Sequence, residues 1–83
     1  MRRSLLTTPE RTEALERLFG ASSEMAREVL DMIEAEPTRS WQPDEVVAAT
    51  GVTVVDVMIV LARLTAGEMI LHDGLGAGYR AVR

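Results

Sequence analysis

Apolar positions fall at helical spacing in four stretches, then give way to two short extended stretches near the end of the chain. The first stretch opens at Thr8-Pro9-Glu10. A threonine can cap the helix, proline fits the first helical position, and glutamate favours the positive end of the dipole. Leu15, Leu18 and Phe19 form its apolar stripe and Gly20 is its stop. The second begins near Ser22 or Ser23 and runs to about Glu36. Ala26, Val29, Leu30 and Ile33 follow the i, i+3, i+4, i+7 pattern of a buried face, and Pro37 ends it. Glu24, Arg27, Glu28, Asp31 and Glu34 take the opposite, solvated face.

Thr38 to Gln42 is too short for a helix and predicts a turn with a stub of strand. Pro43-Asp44-Glu45 opens a two-turn helix with Val46, Val47 and Ala49 facing inward, closed by Thr50-Gly51. Thr53 caps the next helix, and Asp56 three residues on reaches back. That helix runs to Ala66 with Val57, Leu61 and Leu64 as its inner face, and Gly67 ends it. Glu68 to Asp73 and Tyr79 to Val82 read as a hairpin, whose tip Gly74-Leu75-Gly76-Ala77-Gly78 supplies positive φ cheaply. The order of elements predicts a mainly α domain with a small β wing. This is a winged helix-turn-helix over residues 21–83, preceded by an extra helix at 9–20 and a loose arm at 1–8. The short glycine-bearing turn Ala49 to Thr53 is what a helix-turn-helix needs, with Val52 plugging the angle between the helices.

Composition narrows the chemistry. The 83 residues hold one modest core, and the 47% hydrophobic and 27% charged fractions are those of a folded domain. Without cysteine there are no disulfides, no thiolate nucleophile and no cysteine-ligated zinc. With no apolar run long enough to span a bilayer and a start too short for a signal peptide, a cytoplasmic protein is expected, with no membrane partner. His72, the single histidine, is read as an ordinary strand residue, and Trp41 and Tyr79 as packing residues rather than base-stacking platforms. The serines have no histidine or lysine partner at helical spacing, and no helix follows the glycine tip to cradle phosphate, so no enzyme activity, cofactor or small-molecule ligand is expected.

From Val46 to Val82 the chain resembles a bacterial winged helix. It is most similar to the small C-terminal winged-helix module of the bacterial DNA-processing protein A family. The resemblance rests on Asp44-Glu45 opening the first helix, Thr50-Gly51-Val52 as the turn, and Val57, Leu61 and Leu64 as the inner face. Ala66-Gly67 as the stop and Gly78-Tyr79-Arg80 entering the last strand complete it. It extends over about residues 24–83 and implies an accessory module in a DNA-linked process.

A duplex reader lays its third helix in the major groove and needs donors there. Here the net charge is −4, and Trp41 to Ala66 holds three acids against Arg63 alone. Instead Val55, Met58, Ile59 and Ala62 make an apolar stripe on the side expected to be wet, a mark of a protein interface. Two coverings are open: another molecule, or the first helix folding back with Leu15, Leu18 and Phe19. The leading expectation is a module that binds itself or another protein through this helix, acting as a dimer or a docking unit. The alternative is a regulator or accessory that contacts the backbone of double-stranded DNA. Arg2, Arg3, Arg11 and Arg17 in the N-terminal part, or Arg63, Arg80 and Arg83, would make that contact.

Overall fold

A computed structural model describes residues 8–74 and 76–82. Four α-helices, α1 (Thr8–Phe19), α2 (Ser23–Ala35), α3 (Pro43–Thr50) and α4 (Val54–Ala66), precede strands β1 (Ile70–His72) and β2 (Tyr79–Ala81). The architecture is mainly α with a small β wing, as the pattern predicts. Most of the expected arm, with Arg2 and Arg3, lies outside the described residues, as do Leu75 and Arg83. Helix α1 starts at Thr8, one residue earlier than expected.

Gly20 takes φ +57, and a single 3-10 turn, Gly20–Ser22, links α1 to α2. Because that turn uses Ser22, α2 starts at Ser23, and it buries Ala26, Val29, Leu30 and Ile33. Helix α3 opens with Pro43 in its first turn, and the Gln42 backbone N–H donates to the Glu45 carboxylate at 2.8 Å. It closes at Gly51, whose φ of +77 lets the chain reverse while its N–H donates to the Val47 carbonyl at 2.8 Å. The Thr50 hydroxyl donates to the Val46 carbonyl at 2.7 Å and accepts from the Val52 N–H at 3.2 Å, which fixes the exit of the turn. Thr53 Oγ1 then accepts the Asp56 N–H at 3.4 Å. The Asp56 carboxylate reaches back to the Thr53 hydroxyl, at 3.2 Å, rather than to its backbone. Helices α3 and α4 meet at 115°, within the range of a helix-turn-helix.

Strands β1 and β2 pair antiparallel with Ile70 opposite Ala81, Leu71 opposite Arg80 and His72 opposite Tyr79. The predicted stub at Trp41 also joins, bridging Tyr79 on the other side. Both strands are shorter than expected. Glu68 and Met69 still close α4, their N–H groups donating to the Thr65 and Leu64 carbonyls at 3.0 and 2.9 Å. The Asp73 N–H to Gly78 carbonyl bond (2.9 Å) already belongs to the turn, and β2 stops at Ala81.

One core takes residues from every element. Leu15 and Phe19 of α1 join the buried face of α2, Trp41, Val46, and Val57, Val60, Leu61 and Leu64 of α4, with Met69, Ile70 and Ala81 from the wing. Val60 adds the i+3 position to the predicted inner face. Val52 is partly buried against this core. Ala49, expected inside, is exposed, while Val46 is buried and Val47 half-buried. Two turns of helix leave the direction of an apolar face loosely defined.

Gly67 ends α4, but not through its own conformation. Its φ is −82, and the left-handed turn falls on Glu68 at φ +62. A Cβ at position 67 would lie 2.8 Å from Leu18 Cδ1, so glycine lets α1 approach closely here, and a larger residue would have to displace the end of the Leu18 side chain.

Candidate interaction surface

The pitch of α4 divides its side chains cleanly. With Val57, Val60, Leu61 and Leu64 turned into the core, Val55, Met58, Ile59 and Ala62 face outward. Val55 is 65% exposed, Met58 45% and Ile59 44%, and Val54, at 56%, extends the apolar surface at the helix start. The only other large exposed hydrophobic among the described residues is Leu71. Val54 escapes the sequence reading because it sits at the first helical position, where the cap rather than the period determines its role.

Helix α1 does not cover this surface among the described residues. It lies chiefly along α2, with Leu15 and Phe19 in the core and Leu18 against the Gly67 backbone. Arg11 fastens it there, its guanidinium 3.1 Å from Asp31 and 2.7 Å from Glu34. The fold-back covering considered from sequence is therefore replaced by α1–α2 packing, and Arg11 is engaged in ion pairs rather than presented to a partner.

Two charged side chains border the stripe. Asp56 is half-buried at its N-terminal end; Arg63 is exposed at its C-terminal end, with its guanidinium carbon 5.9 Å from the Phe19 ring centroid. The wing adds little free positive charge. Arg80 Nε donates to Asp73 Oδ1 at 2.7 Å, an ion pair within the hairpin. Arg39 lies 3.5 Å over the Trp41 ring and pairs with Glu36 and Glu45 at 3.6 and 3.5 Å. Trp41 is buried beneath it, so its ring offers no open face to a base. Its Nε1 has no hydrogen-bond partner. His72 stacks on Tyr79 with centroids 4.5 Å apart.

A groove of about 410 Å³ runs between α1 and the base of the wing. Glu10, Glu13, Glu34 and Glu68 line it against Arg11 and Arg17, a balance unfavourable to phosphate. No cluster of three or more metal-ligating side chains occurs among the described residues. No single helix there is long and apolar enough to cross a membrane; the α3–α4 pair reaches the required length and composition only across its 115° bend.

No protein-family model, curated protein or solved structure matches the chain.

Proposed function

We propose that the protein is a non-enzymatic winged-helix module of the cytoplasm, acting in a DNA-linked process mainly through protein–protein contact made by α4. The observation that carries this reading is the outward row Val55, Met58, Ile59 and Ala62. It occupies the helix that a duplex-binding winged helix uses for base contact, yet it offers neither hydrogen-bond donors to bases nor positive charge to phosphates. A continuous apolar face of this kind gains free energy when another protein covers it.

The order of elements, the 115° helix pair and the Trp41–β2–β1 wing support the winged-helix assignment. The same features favour a second reading, in which the module grips the DNA backbone. Arg63 is its best-placed described contact, because Arg80 is held by Asp73. Arg2, Arg3 and Arg83 would complete that surface.

Amide NMR of the purified protein, titrated with a mixed-sequence duplex at low salt, separates the two readings. Protein contact predicts no duplex-dependent shifts along α4. Shifts concentrated at Arg63, Arg80 and the neighbouring α4 amides would replace it with the DNA-binding reading.

A further inference from the structure

Resting on the reading that α4 meets a protein, we propose that its occupant is a second copy of this chain, docked antiparallel about a two-fold axis passing between Met58 and Ile59. Two features of the helix carry this. The first is the symmetry of the stripe. Positions 55, 58, 59 and 62 are spaced evenly about their own midpoint. A two-fold axis there sets Val55 on the partner's Ala62 and Met58 on the partner's Ile59, twice over, as an isologous interface requires. Ala62 leaves room for the branched Val55, and Met58 adapts to what it meets.

The second is charge. Asp56 and Arg63 are seven residues apart, nearly two full turns, and so share one flank of the stripe. At 1.5 Å per residue, Asp56 lies roughly 4 Å before the midpoint and Arg63 roughly 7 Å beyond it. An antiparallel two-fold joins like flanks. It therefore brings Asp56 beside the partner's Arg63 with an axial offset of roughly 3 Å, well within the reach of an arginine. A parallel two-fold would instead join opposite flanks, setting Asp56 and Arg63 of each copy beside the uncharged flank of the other, where Val54 and Thr65 lie, so that no ion pair forms. Asp56 Oδ2 accepts from Thr53, leaving its second oxygen for the new contact. Four apolar side chains per copy cover less than the roughly 800 Å² per partner of a standard interface. A dissociation constant on the order of 10 µM is expected.

Sedimentation equilibrium on the full chain, from low micromolar to about 1 mM, tests this with a charge exchange. Asp56→Arg alone and Arg63→Asp alone each put like charges across the axis and should raise the dissociation constant about tenfold. An equimolar mixture of the two variants restores both pairs and should form a heterodimer within about threefold of wild-type affinity, with circular dichroism verifying that each is folded. Should either variant fail to fold, Asp56→Asn and Arg63→Gln each remove the pair without reversing it, and each should weaken the dimer about threefold. Failure of folded variants to recover affinity on mixing, or a dimer indifferent to the neutral pair, overturns the antiparallel arrangement. A wild-type chain monomeric at about 1 mM overturns self-pairing, but not contact with a different protein. A dimer that survives Met58→Asp with Ile59→Asp overturns self-pairing through α4 and places the dimer contact elsewhere, whereas the reading on which the proposal rests is overturned by duplex-dependent shifts along α4.

Discussion

Trp41 and Tyr79 exchange both of their backbone hydrogen bonds, N–H to carbonyl at 2.7 Å in one direction and 2.8 Å in the other. This bridge ties the connection before α3 to the first residue of β2, and so links the α3–α4 pair to the hairpin. Around it, Gln42 Nε2 donates to the Ala77 carbonyl at 2.8 Å, and the Ser40 hydroxyl donates to the same carbonyl at 3.0 Å. The glycine tip is thereby held from below by three consecutive residues, 40–42.

Gly78 is the tightest point of that bridge. Its φ is +116, and a Cβ there would lie 2.7 Å from the Trp41 carbonyl oxygen, a backbone atom with little freedom to yield. Gly78→Ala should cost about 2–3 kcal/mol, from strain at positive φ and from weakened Trp41–Tyr79 pairing. Urea unfolding followed through the fluorescence of Trp41, the sole tryptophan, measures this directly. A loss below about 0.5 kcal/mol, the usual range for inconsequential surface changes, would mean that the bridge contributes little.

The α4 cap offers a smaller and more local perturbation. Thr53 Oγ1 satisfies the Asp56 N–H, but at 3.4 Å the bond is long. Thr53→Ala should therefore cost about 0.5–1 kcal/mol, the lower half of the usual range for a lost cap. In a domain of this size that corresponds to a melting temperature lower by about 2–8 °C. Scanning calorimetry would read it, and Thr53→Ser, which keeps the hydroxyl, should recover most of the loss.

Much of this architecture is legible in the sequence because its signals are local. Gly20, Pro37, Pro43, Gly51 and Thr53 lie at or next to helix ends, and the period of α2 alone identifies its buried face. The longer-range relations are not legible. Gln42 meets residues 76 and 77, a pairing that no local pattern encodes, and Gly67 packs against Leu18 of a distant helix. The same limit applies to the surface. Periodicity places Val55, Met58, Ile59 and Ala62 on the outer face of α4 but cannot decide whether α1 covers them, because Leu15 and Phe19 suit either neighbour. Their burial in the common core, with Arg11 bound to Asp31 and Glu34, commits α1 to α2.

Arg80 is a sequence candidate for phosphate contact whose charge is spent inside the wing. Bound to Asp73 at 2.7 Å, it has little to offer a duplex. Arg80→Ala should leave non-specific duplex affinity within about twofold of wild type. Asp73→Asn, which releases the guanidinium and removes one negative charge, should raise that affinity and steepen its salt dependence by up to about one unit of log–log slope. Fluorescence anisotropy with a labelled duplex at several salt concentrations provides both numbers. A tenfold loss for Arg80→Ala would restore the wing as a DNA contact. The two side chains are partly exposed, so breaking their pair should change stability by no more than about 1 kcal/mol.

The α4 stripe makes its strongest prediction in the separation of folding from association. Met58 and Ile59 are exposed in the single chain, so Met58→Asp with Ile59→Asp removes little from the core and should shift its unfolding by only about 0.5–1 kcal/mol. Association should respond far more strongly, because burying two carboxylates per copy against an apolar face costs several kcal/mol. The wild-type protein should melt at a temperature that rises with protein concentration, since anything that binds only the folded chain stabilises it by mass action. The double variant should melt at one temperature throughout, close to that of the dilute wild type. Calorimetry over a hundredfold range of concentration distinguishes these cases. A wild-type midpoint independent of concentration would show that the exposed stripe does not pair with itself, whereas a concentration dependence retained by the double variant would place the dimer contact elsewhere on the surface.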